Sequence, residues 1–289
     1  MLFEIYKKCI NRLYGSGLSK LPGVSFGVRF IAKKLKPEYV HYFGNKICFT
    51  KNTNSSKMFD ESLDDLFFFK KHIRLNHRVI DIGANIGWFT MIFAKLVGEN
   101  GKIFAFEPGI ENYTILEKNM NVNNFNNIIC ENVAVSNFNG NLNFELSKVG
   151  NHKVIADLNN PNEGGGGVGR DDGNGKSYLT SINCIKLDDY FNNEKIDFVK
   201  IDVEGHELHV LQGMMNIIKN NPKIKMKIEF SYELLKEFGN APTELLDLLI
   251  ENKFSIYDSR DNLNKSSKEE IIEKYSKNNL TTDLFCVRE

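Results

Sequence analysis

The run VIDIGANIGWFT, residues 79–90, reads as a buried strand that ends in Asp81, a tight turn carried by Gly83, Asn85 and Gly87, and a helix that follows at once. Strand, glycine turn and helix in that order form the unit with which a doubly wound α/β sheet holds a ligand at the carboxyl end of its first strand. Glycine allows the close backbone approach such a turn needs. A dinucleotide fingerprint would place glycines at 83, 85 and 88, whereas the chain has Gly83, Asn85 and Trp88, so a pyrophosphate is poorly matched. The G-x-N-x-G spacing suits a nucleoside ligand without phosphates.

Downstream, the strand IFAFEP ends in Glu107, 20 residues beyond Gly87 and directly before Pro108. A carboxylate at the end of a second strand can accept hydrogen bonds from the 2′ and 3′ hydroxyls of a ribose, each worth about 1.5 to 3 kcal/mol. It would repel a 2′-phosphate. Further on, DFVKIDVEGHE (197–207) ends another strand at Asp202 and Glu204, with Gly205 opening a helix, and IEF (228–230) sets Glu229 at the end of the next. Carboxylates gathered at one sheet edge can act as bases, hold a cation or face a cationic ligand. His206 and His209 follow on the helix; H-E-L-H is one residue short of the H-E-x-x-H zinc arrangement, and His206 is the candidate base of the two. No G-x-S-x-G elbow is present.

Around these motifs, short apolar runs alternate with helical stretches from residue 78 onward: RVIDI, WFTMIFAKLV, KIFAF, ENYTILEKNM, NIICENVAV. Such alternation implies right-handed crossovers onto a parallel sheet. NLNFEL and LTSINCIKL, within 141–187, read as an inserted strand pair, after which KIDFVKIDV, a helix over about 205–219, KIKMKIEF, a helix near 242–252, KFSIYD and DLFCVR restore the rhythm, for about seven sheet strands. Upstream, 60–75 is a helix with acidic residues first and lysines late, in accord with its dipole. Residues 2–14 carry the spacing of an amphipathic helix, and VHYF (40–43) and KICFT (46–50) bracket a hairpin-like turn at Gly44 and Asn45. Residues 1–55 are thus an appendage to a domain over 56–289. The Gly-rich stretch 161–177 reads as a mobile surface loop, and its G-R-D-D-G-N-G-K-S tail has the wrong glycine spacing for a P-loop.

Composition narrows the function classes. The 37 basic and 37 acidic residues cancel, so no net field draws the chain to nucleic acid or anionic lipid. The five cysteines are far apart and form no C-x-x-C pair, which suits a reducing compartment. The N-terminus mixes Glu4, Lys7, Lys8 and Arg12 into its apolar positions, unlike a signal or a membrane span, so a cytoplasmic protein is expected.

DIGANIGWFT, FAFEP with Asn112 and Asn119 after it, ENVAVSNFNG (131–140), LDDY (187–190), KIDVEGHELHVLQG (200–213) and IEF together resemble the FkbM-type methyltransferases over residues 55–289. That resemblance implies a Rossmann-like, seven-stranded class I methyltransferase sheet, mostly parallel, with helices on both faces. It implies S-adenosylmethionine as cofactor, with Asp81, Gly83, Asn85 and Gly87 at the methionine part, Glu107 and Pro108 at the ribose, Asn132 and Val133 at the adenine, and Asp202 facing sulfonium and acceptor. It also implies O-methylation of a sugar or another hydroxylated small molecule, in glycan or natural-product biosynthesis. Asp202, Glu204, His206 and Glu229 are the candidate catalytic residues; a divalent metal on Asp202 and Glu229 is the less favoured route, since hard cations need more oxygen ligands. A nicotinamide-dependent oxidoreductase and a catalytically silent S-adenosylmethionine-binding module are the competing readings.

Overall fold

A computed structural model describes residues 38–49, 65–146, 153–155, 178–278 and 280–288. The expected helix over 2–14 and the Gly-rich stretch 161–177 lie outside them. In chain order, the hairpin β1 (Tyr39–Tyr42) and β2 (Asn45–Cys48) precedes a helix α1 over 65–72. Next come β3 (Arg78–Ile82), α2 (Trp88–Val97), β4 (Lys102–Phe106), α3 (Ile110–Val122) and β5 (Ile128–Glu131). An insertion holds β6 (Ala134–Ser136), β7 (Gly140–Leu146), β8 (Lys153–Ile155), β9 (Tyr178–Lys186) and the short α4 (Leu187–Tyr190). The alternation resumes with β10 (Phe198–Ile201), α5 (Glu207–Gln212), α6 (Met215–Asn220), β11 (Lys225–Ser231), α7 (Tyr232–Glu237) and α8 (Pro242–Glu251). It closes with β12 (Ser255–Asp258), β13 (Asn264–Lys265), α9 (Lys268–Ser276) and β14 (Thr281–Val287).

Eight strands form the main sheet in the order β13-β12-β14-β11-β10-β3-β4-β5. From β11 to β5 every pairing is parallel, while β14 runs antiparallel to both β11 and β12, and β13 antiparallel to β12. The sheet is therefore mixed, with one strand more than the seven expected. The eighth, β13, is only two residues long, and strand direction leaves no mark in an apolar run such as DLFCVR. Parallel strands covered on both faces need apolar side chains on both sides. Accordingly Ile80, Ile82, Phe104, Phe106, Val199 and Ile201 join one core with the helices after β10. Val79, Ile103, Ala105 and Phe198 join the other with α1, α2 and the hairpin.

Two local departures position the site. NIICENVAV is not one strand: it breaks after Glu131, leaving β5 in the main sheet and sending β6 to a second, four-stranded sheet of order β6-β9-β7-β8. At the break the Asn132 amide donates to the carbonyls of Glu107 and Pro108 at 2.8 and 3.0 Å, which ties the crossing point to the end of β4. The expected helix over 205–219 is divided into α5 and α6 at Gly213 and Met214. Gly213 packs so closely on the second sheet that a Cβ there would lie 2.0 Å from the Ser136 carbonyl oxygen.

The hairpin turns at Phe43 and Gly44, one position earlier than expected, with Asn45 already in β2. It is fastened to the core: Asn119 exchanges hydrogen bonds with the Cys48 backbone and Asn123 with that of Lys46. Among the described residues no helix is long and apolar enough to cross a membrane.

Candidate functional site

β3 is flanked by β4 on one side and β10 on the other, so the strand order reverses at β3 and the loops beyond these strands part. A doubly wound sheet opens its ligand crevice at such a point. The cleft found there is walled by the glycine turn, the end of β4, Val133, and the segment from Lys200 to His206. Gly83 has φ +76°, and a Cβ on it would stand 1.8 Å from the Asp202 carbonyl oxygen. Only glycine lets the turn after β3 pass the end of β10 so closely. Asn85 also lies in the left-handed region at φ 52°, its Oδ1 accepting from the Ile86 amide at 2.8 Å.

Glu107 is the carboxylate at the adjoining strand end and is 4% exposed. Its Oε2 accepts from the Asn85 amide and its Oε1 from the Gly109 amide, both at 2.8 Å. The two bonds fix the carboxylate against the glycine turn. Burial pushes the Glu107 carboxyl up to about 7 in spite of these bonds and one from Asn112.

Asp81, 1% exposed, lines the floor of the cleft. Its Oδ2 accepts from the Thr90 hydroxyl at 2.6 Å, whereas Oδ1 is buried without a hydrogen-bond partner. Directly opposite Asp81 in the β3–β10 register stands Lys200, whose ammonium donates to Asp202 Oδ2 at 2.8 Å. Burial pulls the Lys200 ammonium down, but the Asp202 and Asp81 carboxylates outweigh it and leave Lys200 above the usual lysine value. Lys227 on β11 continues the row, opposite Lys200 and bonded to Asp65 of α1 and Asp283 of β14 at 2.7 and 2.6 Å. The carboxyl end of the sheet therefore carries a row of buried cations interleaved with acids.

Beyond Asp202 the acids crowd. Glu204 has φ 55° and lines the cleft. Glu207 is buried, its Oε1 accepting from the amides of Val203 and Gly205 at 3.2 and 3.0 Å and so holding the turn into α5. Glu229 Oε2 and Glu207 Oε2 are both buried without partners among the described residues. Burial, then the charges of Asp202, Glu207 and Glu204, raises the Glu229 carboxyl well above the ordinary range. His206 is buried as well: its Nε2 lies 3.0 Å from Ser136 Oγ, its ring stacks on His209 at 4.4 Å, and burial together with His209 keeps it neutral.

Of the residues singled out from sequence, Asp81, Gly83, Asn85, Glu107, Pro108, Val133, Asp202, Glu204 and His206 meet at the cleft. Gly87, Asn132 and Glu229 are not among its lining residues. Gly87 starts α2 with φ +80°, where a Cβ would strike Leu116, and Asn132 braces the backbone under Glu107. Lys200 and Glu207 are site residues that the sequence reading passed over. Lys200 is two positions before Asp202, the spacing that puts two strand residues on one face. Among the described residues no group of three or more His, Cys, Asp or Glu side chains is arranged to hold a metal ion.

Residues 81–256, which hold the cleft and its walls, match the Methyltransferase FkbM domain. The chain belongs to that family. It is similar to hexuronic acid methyltransferase AglP of Haloferax volcanii, 28% identical over 178 residues, which are 61% of this chain and 62% of that protein. It is likewise similar to methyltransferase sdnD of Sordaria araneosa, 28% identical over 158 residues, 48% of this chain and 61% of that protein. The chain thus spans about three fifths of the length of these two relatives. Among solved structures, it aligns with a methyltransferase FkbM from Methylobacillus flagellatus at 16% identity and TM-score 0.43, covering 73% of this chain and 43% of that one. It also aligns with an S-adenosylmethionine-dependent O-methyltransferase from Thermotoga maritima at 12% identity and TM-score 0.43, covering 90% and 81%.

Proposed function

We propose that the chain is an S-adenosylmethionine-dependent O-methyltransferase of the class I architecture, acting in the cytoplasm on a hydroxyl of a saccharide, with sugars of the hexuronic acid class as the first acceptors to try. The observation that carries this reading is the placement of Glu107 and Asp202 on opposite walls of one cleft, with the glycine turn between them. The cleft fits the cofactor in kind. Glu107, whose carboxylate already accepts from Asn85, Gly109 and Asn112, offers its remaining lone pair to the ribose, Phe106, Pro108 and Val133 give apolar faces for a purine, and the unpartnered Asp81 Oδ1 awaits a donor at the other end. The acceptor preference rests on the name of the Haloferax volcanii relative.

When bound, the cofactor supplies an electrophilic methyl group on a sulfonium. The chain's part is to hold the acceptor oxygen in line with the carbon–sulfur bond and to take up its proton. Transfer of that methyl to a hydroxyl would leave the cofactor as a neutral thioether and would require the chain to accept the hydroxyl proton. Asp202 Oδ1, the oxygen not bonded to Lys200, is the receiving atom. Glu229 does not line the cleft, His206 is engaged with Ser136, and Glu204 borders the acceptor side. Incubating the protein with methyl-labelled S-adenosylmethionine and hexuronic-acid saccharides tests this. Alkali-stable label on the sugar is the expected product; alkali-labile label moves the methyl to the carboxyl oxygen, and unlabelled sugar removes the acceptor class.

A further inference from the structure

The zero net charge of the chain conceals a division. Residues 1–57 hold eleven Lys and Arg against two acids, Glu4 and Glu38, so that from 58 to 289 acids exceed Lys and Arg by nine. Within the described residues the basic end has a definite surface. On α1, Phe67, Lys70 and Lys71, with Arg74 just past the helix end, are exposed at the three-and-four spacing of one helical face, whereas Leu66, Phe69 and Ile73 are buried. The Arg74 guanidinium donates back to the Lys70 carbonyl at 2.6 Å. Phe43, at the tip of the hairpin, lies between the ammonium groups of Lys70 and Lys95, 4.7 and 5.5 Å from its ring, and Lys46 stands 4.2 Å over the ring of Tyr39. Hairpin, α1 and α2 cover the same face of the main sheet, so these groups belong to one side of the molecule.

None of Lys46, Lys70, Lys71, Arg74 and Lys95 enters an ion pair with a described residue. The one acid of α1, Asp65, is turned inward onto Lys227. Among these cations Phe67 is 68% and Leu75 71% exposed. Large apolar side chains left in water amid unpaired cations are the make-up of an interfacial surface, where apolar groups enter the headgroup boundary and ammonium groups meet lipid phosphates.

We propose that this side of the protein docks on an anionic lipid bilayer. A second copy of the chain would bring the same positive charge to it, and a nucleic acid would satisfy the cations but give the Leu75 side chain no apolar partner. Residues 1–37, which join the patch at Glu38, carry eight Lys and Arg against one acid, Glu4, so their charge adds to the attraction instead of neutralising it. The docking goes beyond methyl transfer and does not depend on it.

The test is sedimentation of the full chain with vesicles of phosphatidylcholine alone and with vesicles in which about a third of the lipid is phosphatidylglycerol. Binding to the anionic vesicles should be roughly a hundredfold tighter at about 0.1 M salt, and most of that difference should vanish at about 0.5 M. Lys70→Glu combined with Lys71→Glu and Arg74→Glu should lower anionic binding roughly a hundredfold with the melting temperature unchanged. Phe67→Ser combined with Leu75→Ser should weaken the binding that survives high salt. Should the charge-reversed variant unfold, Lys70→Gln combined with Lys71→Gln and Arg74→Gln must show a loss in the same direction. Equal binding to both vesicle types, no sedimentation with either, or wild-type binding in the charge variants or in the Phe67 and Leu75 variant would overturn the proposal. Tighter binding to polyuridylate than to the anionic vesicles, lost on the same charge changes, would overturn it in favour of a nucleic-acid surface.

Discussion

Lys200 stands opposite Asp81 in the register of β3 and β10, and two residues further its own strand end supplies the Asp202 carboxylate that the ammonium holds at 2.8 Å. The juxtaposition sets one buried ammonium beside two acids at the floor of the cleft. It also leaves Asp202 Oδ1 as the oxygen not engaged by Lys200.

Asp202→Asn keeps the shape of that corner and removes the proton acceptor. Turnover should fall roughly hundredfold or more, the usual contribution of a positioned general base, while S-adenosylhomocysteine affinity changes only a few-fold. Steady-state kinetics and calorimetry on the same preparation measure both. A variant with near-normal rate removes Asp202 from the chemistry, and a wild-type chain that binds cofactor but transfers nothing is a silent binding module.

Glu107 gives a pH signature. Burial raises its carboxyl to about 7 in the ligand-free protein, and ribose hydroxyls bind the ionised form. Cofactor affinity should therefore rise roughly tenfold from about pH 6 to about pH 8, with a proton released to the buffer near pH 7 and an observed enthalpy that becomes more exothermic in buffers of larger ionisation enthalpy. The stability of the free protein moves the opposite way. A carboxyl whose folded value exceeds its unfolded one stabilises the fold at low pH and loses that contribution as pH climbs through about 7. Glu107→Gln should flatten both profiles, and Glu107→Ala should weaken binding by about 3 kcal/mol. A pH-independent affinity contradicts the ribose role.

Gly83→Ala should be among the most damaging small substitutions, because its Cβ would occupy the space of the Asp202 carbonyl oxygen. Either β3 and β10 separate at their ends or the turn leaves φ +76°, and both deform the cleft. The expected outcome is loss of detectable cofactor binding together with a lower melting temperature. Normal binding in the variant would show that the turn is not under the constraint described here.

Lys227 is the fold's counterpart to Lys200, buried between Asp65 and Asp283. Lys227→Met leaves two carboxylates facing each other near Glu229 and should cost about 3 kcal/mol in urea unfolding, the usual consequence of removing one member of a buried ion pair. Because Asp65 begins α1, the same change should loosen that helix, which hydrogen exchange at 65–72 would register. A loss below about 1 kcal/mol would mean that solvent screens the pair.

Much of this was legible in the chain itself. The strand ends at Asp81, Glu107 and Asp202 follow from apolar runs broken by charge, and the glycine turn follows from spacing, so the main cleft could be outlined from sequence. Three things could not. The split of NIICENVAV between two sheets depends on the Asn132 amide reaching back to Glu107 and Pro108, a tertiary bond with no local signature. The antiparallel entry of β14 between β11 and β12 is invisible in composition. The row Asp81, Lys200 and Lys227 exists only through register across three strands, since a lysine in a strand reads locally as a solvated side chain. His206 shows the reverse: adjacent to the acids in sequence, it is turned in the fold toward Ser136 and His209.

The most direct test of the central claim is calorimetric titration of the full chain with S-adenosylmethionine and, separately, with NAD. The account predicts saturable one-to-one binding of S-adenosylmethionine, weakened in Glu107→Ala, and no saturable binding of NAD. Saturation by NAD with no response to S-adenosylmethionine would contradict it and make the cleft that of an oxidoreductase.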